Sequence, residues 1–372
     1  MKLGISGWRL STQPLGVVRY TEYLLQYWQG MLAPSDDATV FVCQPWTPGR
    51  ADRFARFTVR QVRPRLTNAL WENLLLPRHA KNLDVLFGPS YTLPLLYKGR
   101  SVVAIHSVDE VQPGALPFWH ELTYSQKYRL SCHRADKVVV NAVSTKDRVC
   151  ERYGIAENKI EVIGLAADDT FRPIHDQELL RATRRKYVAG DRPYILFVGG
   201  LSTRRNIPVL LTAFSRLKQE LRIPHALLLV GPNRGDVPLE RLADELHISD
   251  SVFHTVGRFA DHLELVSIYN AADVFILPSI SEGFSLTLIE AMRCGVPVIT
   301  VNRAALGEVA RGYALTLEEP TVEAVADALG RVLTNVELQQ TLRANSLKRA
   351  GQYSWELTAR NTLAVLRDVA GA

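Results

Sequence analysis

The chain has 372 residues, 47% of them hydrophobic and 22% charged, with a net charge of +6. That length suits two domains with separate cores, and the modest basicity, with no interleaved basic and aromatic residues, argues against a nucleic-acid binder. No apolar run approaches the roughly 18 residues of a membrane span, the first residues read as a strand and not a leader peptide, and the four cysteines form no C-x-x-C pair, so a cytoplasmic chain with free thiols is expected.

In chain order, short β-branched runs alternate with helical patterns, the signature of α/β units with parallel sheets. The first half offers strands at 3–5, 40–43, 85–87, 102–105, 137–140 and 160–163, with a helix at 20–29 after the first. The polar, strand-poor stretch 168–192 marks a domain boundary near its start. The second half offers strands at 194–198, 226–230, 252–256, 274–277 and 297–301, and a helix from about residue 207. The tail, 354–369, reads as an amphipathic helix with Leu357, Leu363, Leu366 and Val369 as its apolar positions. Several strands run straight into Gly, Pro or His, as strand ends do where open α/β sheets bind ligands.

The strongest local signal is the string from Pro278 to Pro297. A strand ends in a loop holding Glu282 and Gly283, and a helix starts near Ser285 and stops at Gly295 before Pro297. Gly283 admits a ligand close to the backbone, and the free amides of Phe284, Ser285 and Leu286 at a helix start suit an anion. Glu282 and Glu290 flank that start and can accept hydrogen bonds from sugar hydroxyls. They are poorly placed for a metal, and no D-x-D string follows a strand, so neither a metal nor a cofactor is expected. A second signal, from Phe197 to Asn206, opens a buried strand into the pair Gly199-Gly200, with Arg204 and Arg205 ahead of a helix and able to give charged phosphate contacts. Weaker signals are Gly16, in the loop after the first strand, and His106, at a strand end. The first strand is not followed by G-x-G-x-x-G, which disfavours a dinucleotide site. Between Arg50 and Lys81 eight basic residues face two acidic ones, either as a solvated face or as an attraction to a lipid phosphate, a membrane surface or nucleic acid.

Together these strings resemble retaining glycosyltransferase family 4. Its E-x7-E signature matches Glu282 through Glu290 inside the Pro278-to-Ile299 string, and further matches are the Phe197-to-Asn206 loop, Trp71 to Pro77, Val85 to Ser90, Val103 to His106 and the ending from Tyr353 to Ala359. The trimmed Trp71-to-Pro77 string and the Arg-Arg-Asn loop resemble bacterial mannosyl- or rhamnosyltransferases of surface polysaccharide assembly.

The resemblance implies the GT-B architecture: an acceptor-binding Rossmann-like domain over 1–167, a nucleotide-sugar domain over 168–352 facing it across a cleft, and a final helix over 353–372 that crosses back to the first domain. It implies that Glu290 holds the ribose hydroxyls, that Glu282 holds the transferred sugar, and that Arg204 or Arg205 neutralises the diphosphate with the amides from Ser285 through Leu286 to Thr287. Gly16 and Gly200 would lie beside the diphosphate, Asn206 in the donor loop, and His106 against the sugar near the reacting carbon; His106, Glu282 and Arg205 are the catalytic candidates. The family commonly has Arg after the strand glycine where this chain has Gly200, Asp after the His where it has Ser107, and Gly where it has Ser285. The expected activity is metal-independent, retaining transfer of a hexose. A GDP-mannose donor, a glycan or lipid-linked saccharide acceptor, and peripheral membrane contact through the basic region complete the expectation, with no nucleic-acid partner. The alternative is a sugar-nucleotide-binding or epimerase-type protein of the same fold without transferase activity.

Overall fold

A computed structural model describes residues 1–11, 16–46, 54–64, 66–108, 118–233, 235, 237–256 and 262–371. The chain divides into two compact units, one of Met1–Leu165 with Ser354–Ala372 and one of Ala166–Tyr353.

The first unit carries β1 (Lys2–Ser6), α1 (Gly16–Trp28), β2 (Asp37–Val42), β3 (Thr58–Gln61), the short α2 (Asn68–Leu70), a π-helical segment (Trp71–Leu75) and α3 (Leu76–His79). It continues with β4 (Val85–Gly88), β5 (Ser101–Ile105), α4 (Phe118–Arg134), β6 (Lys137–Val140), α5 (Val143–Tyr153) and β7 (Ile160–Val162). All its strands pair in parallel in the order β3-β2-β1-β4-β5-β6-β7.

The second unit comprises α6 (Gln177–Tyr187), β8 (Tyr194–Val198), α7 (Ile207–Glu220), β9 (Ala226–Val230), α8 (Leu239–Glu245), β10 (Val252–Thr255), α9 (His262–Ala271), β11 (Val274–Leu277), α10 (Leu286–Arg293), β12 (Val298–Val301), α11 (Ala304–Ala310), β13 (Leu315–Leu317), α12 (Val322–Thr334) and α13 (Val336–Ala350). Its strand order, β10-β9-β8-β11-β12-β13, repeats that of the first sheet.

Strands such as Ser101–Ile105 and Tyr194–Val198 are buried on both faces, as their apolar runs require. In each sheet the order reverses beside the first strand, between β1 and β4 in one unit and between β8 and β11 in the other. Loops leaving such a pair diverge and open a crevice at the strands' carboxyl ends.

The last helix, α14 (Trp355–Ala370), belongs to the first unit. Trp28 Nε1 donates to the Ala359 carbonyl at 2.8 Å and Thr358 Oγ1 to that of Gly164 at 2.7 Å. Its buried face holds Trp355, Ala359, Leu363 and Leu366, while Leu357, expected among the apolar positions, is exposed. The face follows the 3.6-residue period from Trp355, and Leu357, two residues on, falls on the opposite side of the helix.

Two strands escape the sequence reading, β3 and β13. Each is a short edge strand, Thr-Val-Arg-Gln or Leu-Thr-Leu, lacking the apolar run of a doubly covered strand. The helix expected at 20–29 begins four residues earlier, so Gly16 is its first residue. The basic positions Arg50, Arg53 and Arg65 lie outside the described residues.

Candidate functional site

The crevice between β8 and β11 assembles the second unit's candidates. The loop after β8 carries Gly199, Gly200, Arg204, Arg205 and Asn206; the loop after β11 carries Glu282 and leads to α10. A backbone bond stitches the two, Ile280 N donating to Arg204 O at 3.0 Å.

Three groups converge on one carboxylate oxygen. Arg205 Nε lies 3.1 Å and Arg204 Nη1 3.6 Å from Glu282 Oε1, and Ser279 Oγ donates to the same atom at 3.1 Å. Arg204 also donates to the Ser281 carbonyl. The two guanidinium groups outnumber the carboxylate, and the start of α10 adds the partial positive charge of its unpaired amides. The cluster therefore carries an excess of positive charge, which suits a diphosphate.

Gly199 is the glycine that geometry demands. A Cβ there would fall 1.6 Å from Arg205 Nη1, and its φ of +151° is rare for other residues. Gly231 is locked from behind, since a Cβ on it would meet the Gly199 carbonyl oxygen at 2.1 Å. Gly200, singled out from the sequence, has only ordinary contacts, the nearest at 3.6 Å. Asn206 adopts a left-handed conformation with φ 60°, and its Nδ2 donates to the Pro320 carbonyl at 3.0 Å, so its side chain pins a neighbouring loop.

The helix α10 begins at Leu286, with Ser285 before it at φ 69° and ψ 89°. This backbone explains why glycine suits the position, and the Ser285 hydroxyl lies 3.1 Å from that of Thr287. Gly283 is half-buried; Phe284 is buried and meets Tyr353 edge-on with ring centroids 5.7 Å apart. Glu290 is buried, with Oε2 accepting a 3.0 Å bond from the Tyr269 hydroxyl, which also lies 3.3 Å from the Thr287 carbonyl oxygen. Tyr269 escaped the sequence reading: it comes from α9, and no local pattern links it to Glu290.

His106 and Gly16 belong to the first unit. The His106 ring is held at both nitrogens: Nε2 lies 2.8 Å from the Pro89 carbonyl and Nδ1 2.9 Å from Asn141 Nδ2. The carbonyl accepts only from an N–H, so the neutral tautomer with the proton on Nε2 satisfies both partners. Burial, aided by the Arg9 charge, lowers the His106 pKa to about 4 against the hydrogen bond to Pro89. Tyr20 and Tyr91 meet the ring edge-on at 4.6 and 5.3 Å. A neutral imidazole with both nitrogens engaged offers its carbon edge, not a proton, to a neighbour. Asn141, which orients it, had no sequence signal. Gly16 is exposed, with open space where a Cβ would stand, and is the first residue of α1.

Of the basic region's described members, Arg56 is spent on the Ala33 and Asp36 carbonyls. Arg60, Arg63, Arg78 and Lys81 are exposed. Among the described residues no group of three or more His, Cys, Asp or Glu side chains could hold a metal, and no helix is long and apolar enough to cross a membrane.

Comparison with known proteins identifies the family. The family model "Glycosyl transferases group 1" matches residues 181–349, and "Glycosyltransferase Family 4" matches residues 15–171. The chain is 30% identical over 230 residues to the serotype-specific mannosyltransferase WbdA of Escherichia coli, a match that covers 61% of this chain but 28% of that protein. It is 26% identical over 283 residues to the O-antigen chain mannosyltransferase B of Escherichia coli, covering 75% of this chain and 73% of that one. The structure of HepE from Anabaena in complex with UDP-glucose superposes with a TM-score of 0.78 at 15% identity, covering 98% of this chain and 100% of that one. With the two models matched in tandem along the chain and each unit folded as a Rossmann-like parallel sheet, the chain belongs to glycosyltransferase family 4 and has its GT-B fold.

Proposed function

We propose that the chain is a metal-independent, retaining hexosyltransferase that moves a hexose from a nucleotide-sugar donor to a glycan or lipid-linked saccharide during cell-surface polysaccharide synthesis. The observation that carries this reading is the convergence of Arg204 and Arg205 on Glu282 beside the start of α10, in the crevice between β8 and β11. GDP-mannose is the first donor to test, because two relatives are named mannosyltransferases.

In this reading the bond between the anomeric carbon and the phosphate oxygen breaks, and the diphosphate leaves with the electron pair. Arg204, Arg205 and the amides from Ser285 to Thr287 stabilise its growing charge, the term that dominates such reactions. Glu282, released from the arginines as the diphosphate takes its place, accepts bonds from the sugar hydroxyls, and Glu290 accepts them from the ribose. The acceptor oxygen bonds to the anomeric carbon on the face the phosphate leaves, and the acceptor proton passes to the leaving phosphate. His106, neutral with both ring nitrogens engaged, exchanges no proton. The reading places the protein in the cytoplasm, touching the membrane through Arg60, Arg63, Arg78 and Lys81.

A thermal-shift panel of GDP-, UDP-, ADP- and dTDP-sugars tests it. A ligand at a hundred times its Kd stabilises the chain by about 2.7 kcal/mol, and the stabilising donor then supports transfer in EDTA with its anomeric configuration kept. Stabilisation by none of them refutes the reading.

A further inference from the structure

The first unit has the same reversal of strand order as the second, between β1 and β4, and its crevice is also lined by chemistry. Trp8 and Arg9 follow β1; Thr92 and Leu93 follow β4; Asn68, Glu72 and Asn73 come from the helical stretch between them; Lys127, Tyr128 and Ser131 come from α4. Together they line a cavity of about 210 Å³. That is smaller than the roughly 300–1,000 Å³ of sites for drug-sized ligands, so it suits a single ring rather than a nucleotide.

Glu72 is the unusual member. It sits in the π-helical segment, a distortion frequent at functional sites, and is only 4% exposed. Its one hydrogen-bond partner among the described residues is Thr92, whose Oγ1 donates to Oε1 at 2.8 Å. Burial raises its pKa to about 7, against the Thr92 bond and the charges of Lys127 and Arg9. A carboxylate carried into a cavity with one hydroxyl partner is costly for folding alone. Asn68, four residues earlier and so on the same helix face, has a buried Oδ1 without a hydrogen-bond partner. The walls are fixed by bonds of their own: Leu93 N donates to Ser131 Oγ at 3.0 Å and Leu95 N to Asn73 Oδ1 at 2.8 Å.

We infer that this cavity seats one monosaccharide unit of the acceptor, its hydroxyls bonding to Glu72 and Asn68 and its carbon face lying against Trp8 and Tyr128. Two acceptor oxygens set four residues apart on one helix face match adjacent hydroxyl donors. Aromatic rings pack against the apolar face of a pyranose. Assignment to the acceptor rests on the transferase reading above; the presence of a sugar pocket does not.

The test is ligand-observed NMR on the full chain with the methyl α-pyranosides of mannose, glucose, galactose and L-rhamnose as probes. Saturation transfer to at least one probe is expected, with affinity falling about tenfold in Glu72→Gln and in Asn68→Leu. The second variant replaces a half-exposed residue and so guards against a folding defect in the first. GDP, UDP, ADP and dTDP, run beside them as a thermal-shift control, should act on both variants as on the wild type. Transfer to none of the probes, or affinity unchanged in both variants, overturns the inference. Failure of every nucleotide on the wild type refutes the transferase reading instead and leaves the sugar pocket standing.

Discussion

The two units place their chemistry at the same point of the same topology and fill it in different ways. At the β8–β11 crevice the residues are cationic and partly open, with two arginines sharing one carboxylate beside a helix start. At the β1–β4 crevice aromatic rings, amides and the cations Arg9 and Lys127 stand around one buried carboxylate that burial pushes toward neutrality. Strand order fixes where a ligand can sit, and loop composition fixes what it can be. A diphosphate needs charge and free amides; a sugar ring needs walls and a few acceptors.

Breaking the charged side should have the largest effect. Arg205→Ala removes about 1.5–3 kcal/mol of charged hydrogen bonding, so turnover should fall about 10- to 150-fold with the melting temperature held. Steady-state kinetics beside a melting curve checks both halves. Gly199→Ala should follow in the same direction: its Cβ claims the position of Arg205 Nη1, displacing a flexible side chain while sparing the sheet, with a loss of about tenfold. If Gly199→Ala has normal kinetics, the glycine does not hold Arg205 in place.

The closed side is sharpened by pH. The folded pKa of Glu72, about 7, lies above its usual 4.5, so its contribution to stability is present at low pH and lost as pH rises from about 4.5 through 7. Denaturant titration should therefore find Glu72→Gln more stable than the wild type by about 1–3 kcal/mol at pH 8 and no more stable near pH 4.5. His106 has the opposite sign. Its folded pKa of about 4 lies below the usual 6.5, so its contribution is present above 6.5 and lost as pH falls toward 4. His106→Gln should flatten the stability profile over that acidic window. The smallest effect belongs to Ser285→Gly, which relieves a left-handed backbone at φ 69° and should raise stability by about 0.5–1 kcal/mol without lowering turnover.

The same contrast explains what was legible in the amino-acid order. The string from Pro278 to Pro297 could be read because its chemistry is contiguous: a strand end, a carboxylate, a helix start and a glycine stop lie within one stretch. The arginine loop was readable for the same reason, although its crowded glycine is Gly199 and the sequence reading put Gly200 beside the donor. The partners that complete each site come from distant segments that only the sheets bring close. Tyr269 reaches Glu290 from α9, Asn141 reaches His106 from the end of β6, and Thr92 reaches Glu72 from beyond β4. Glu72 was visible within the Trp71-to-Pro77 string, but the burial that makes it unusual is a tertiary property.

The central claim is that Arg205 and the start of α10 bind a diphosphate. Calorimetric titration of GDP, UDP, ADP and dTDP into the wild type and Arg205→Ala addresses it most directly. The account predicts that at least one nucleotide binds the wild type and binds the variant about tenfold more weakly or worse. Equal affinity for the two proteins, or no binding of any of them, would contradict it.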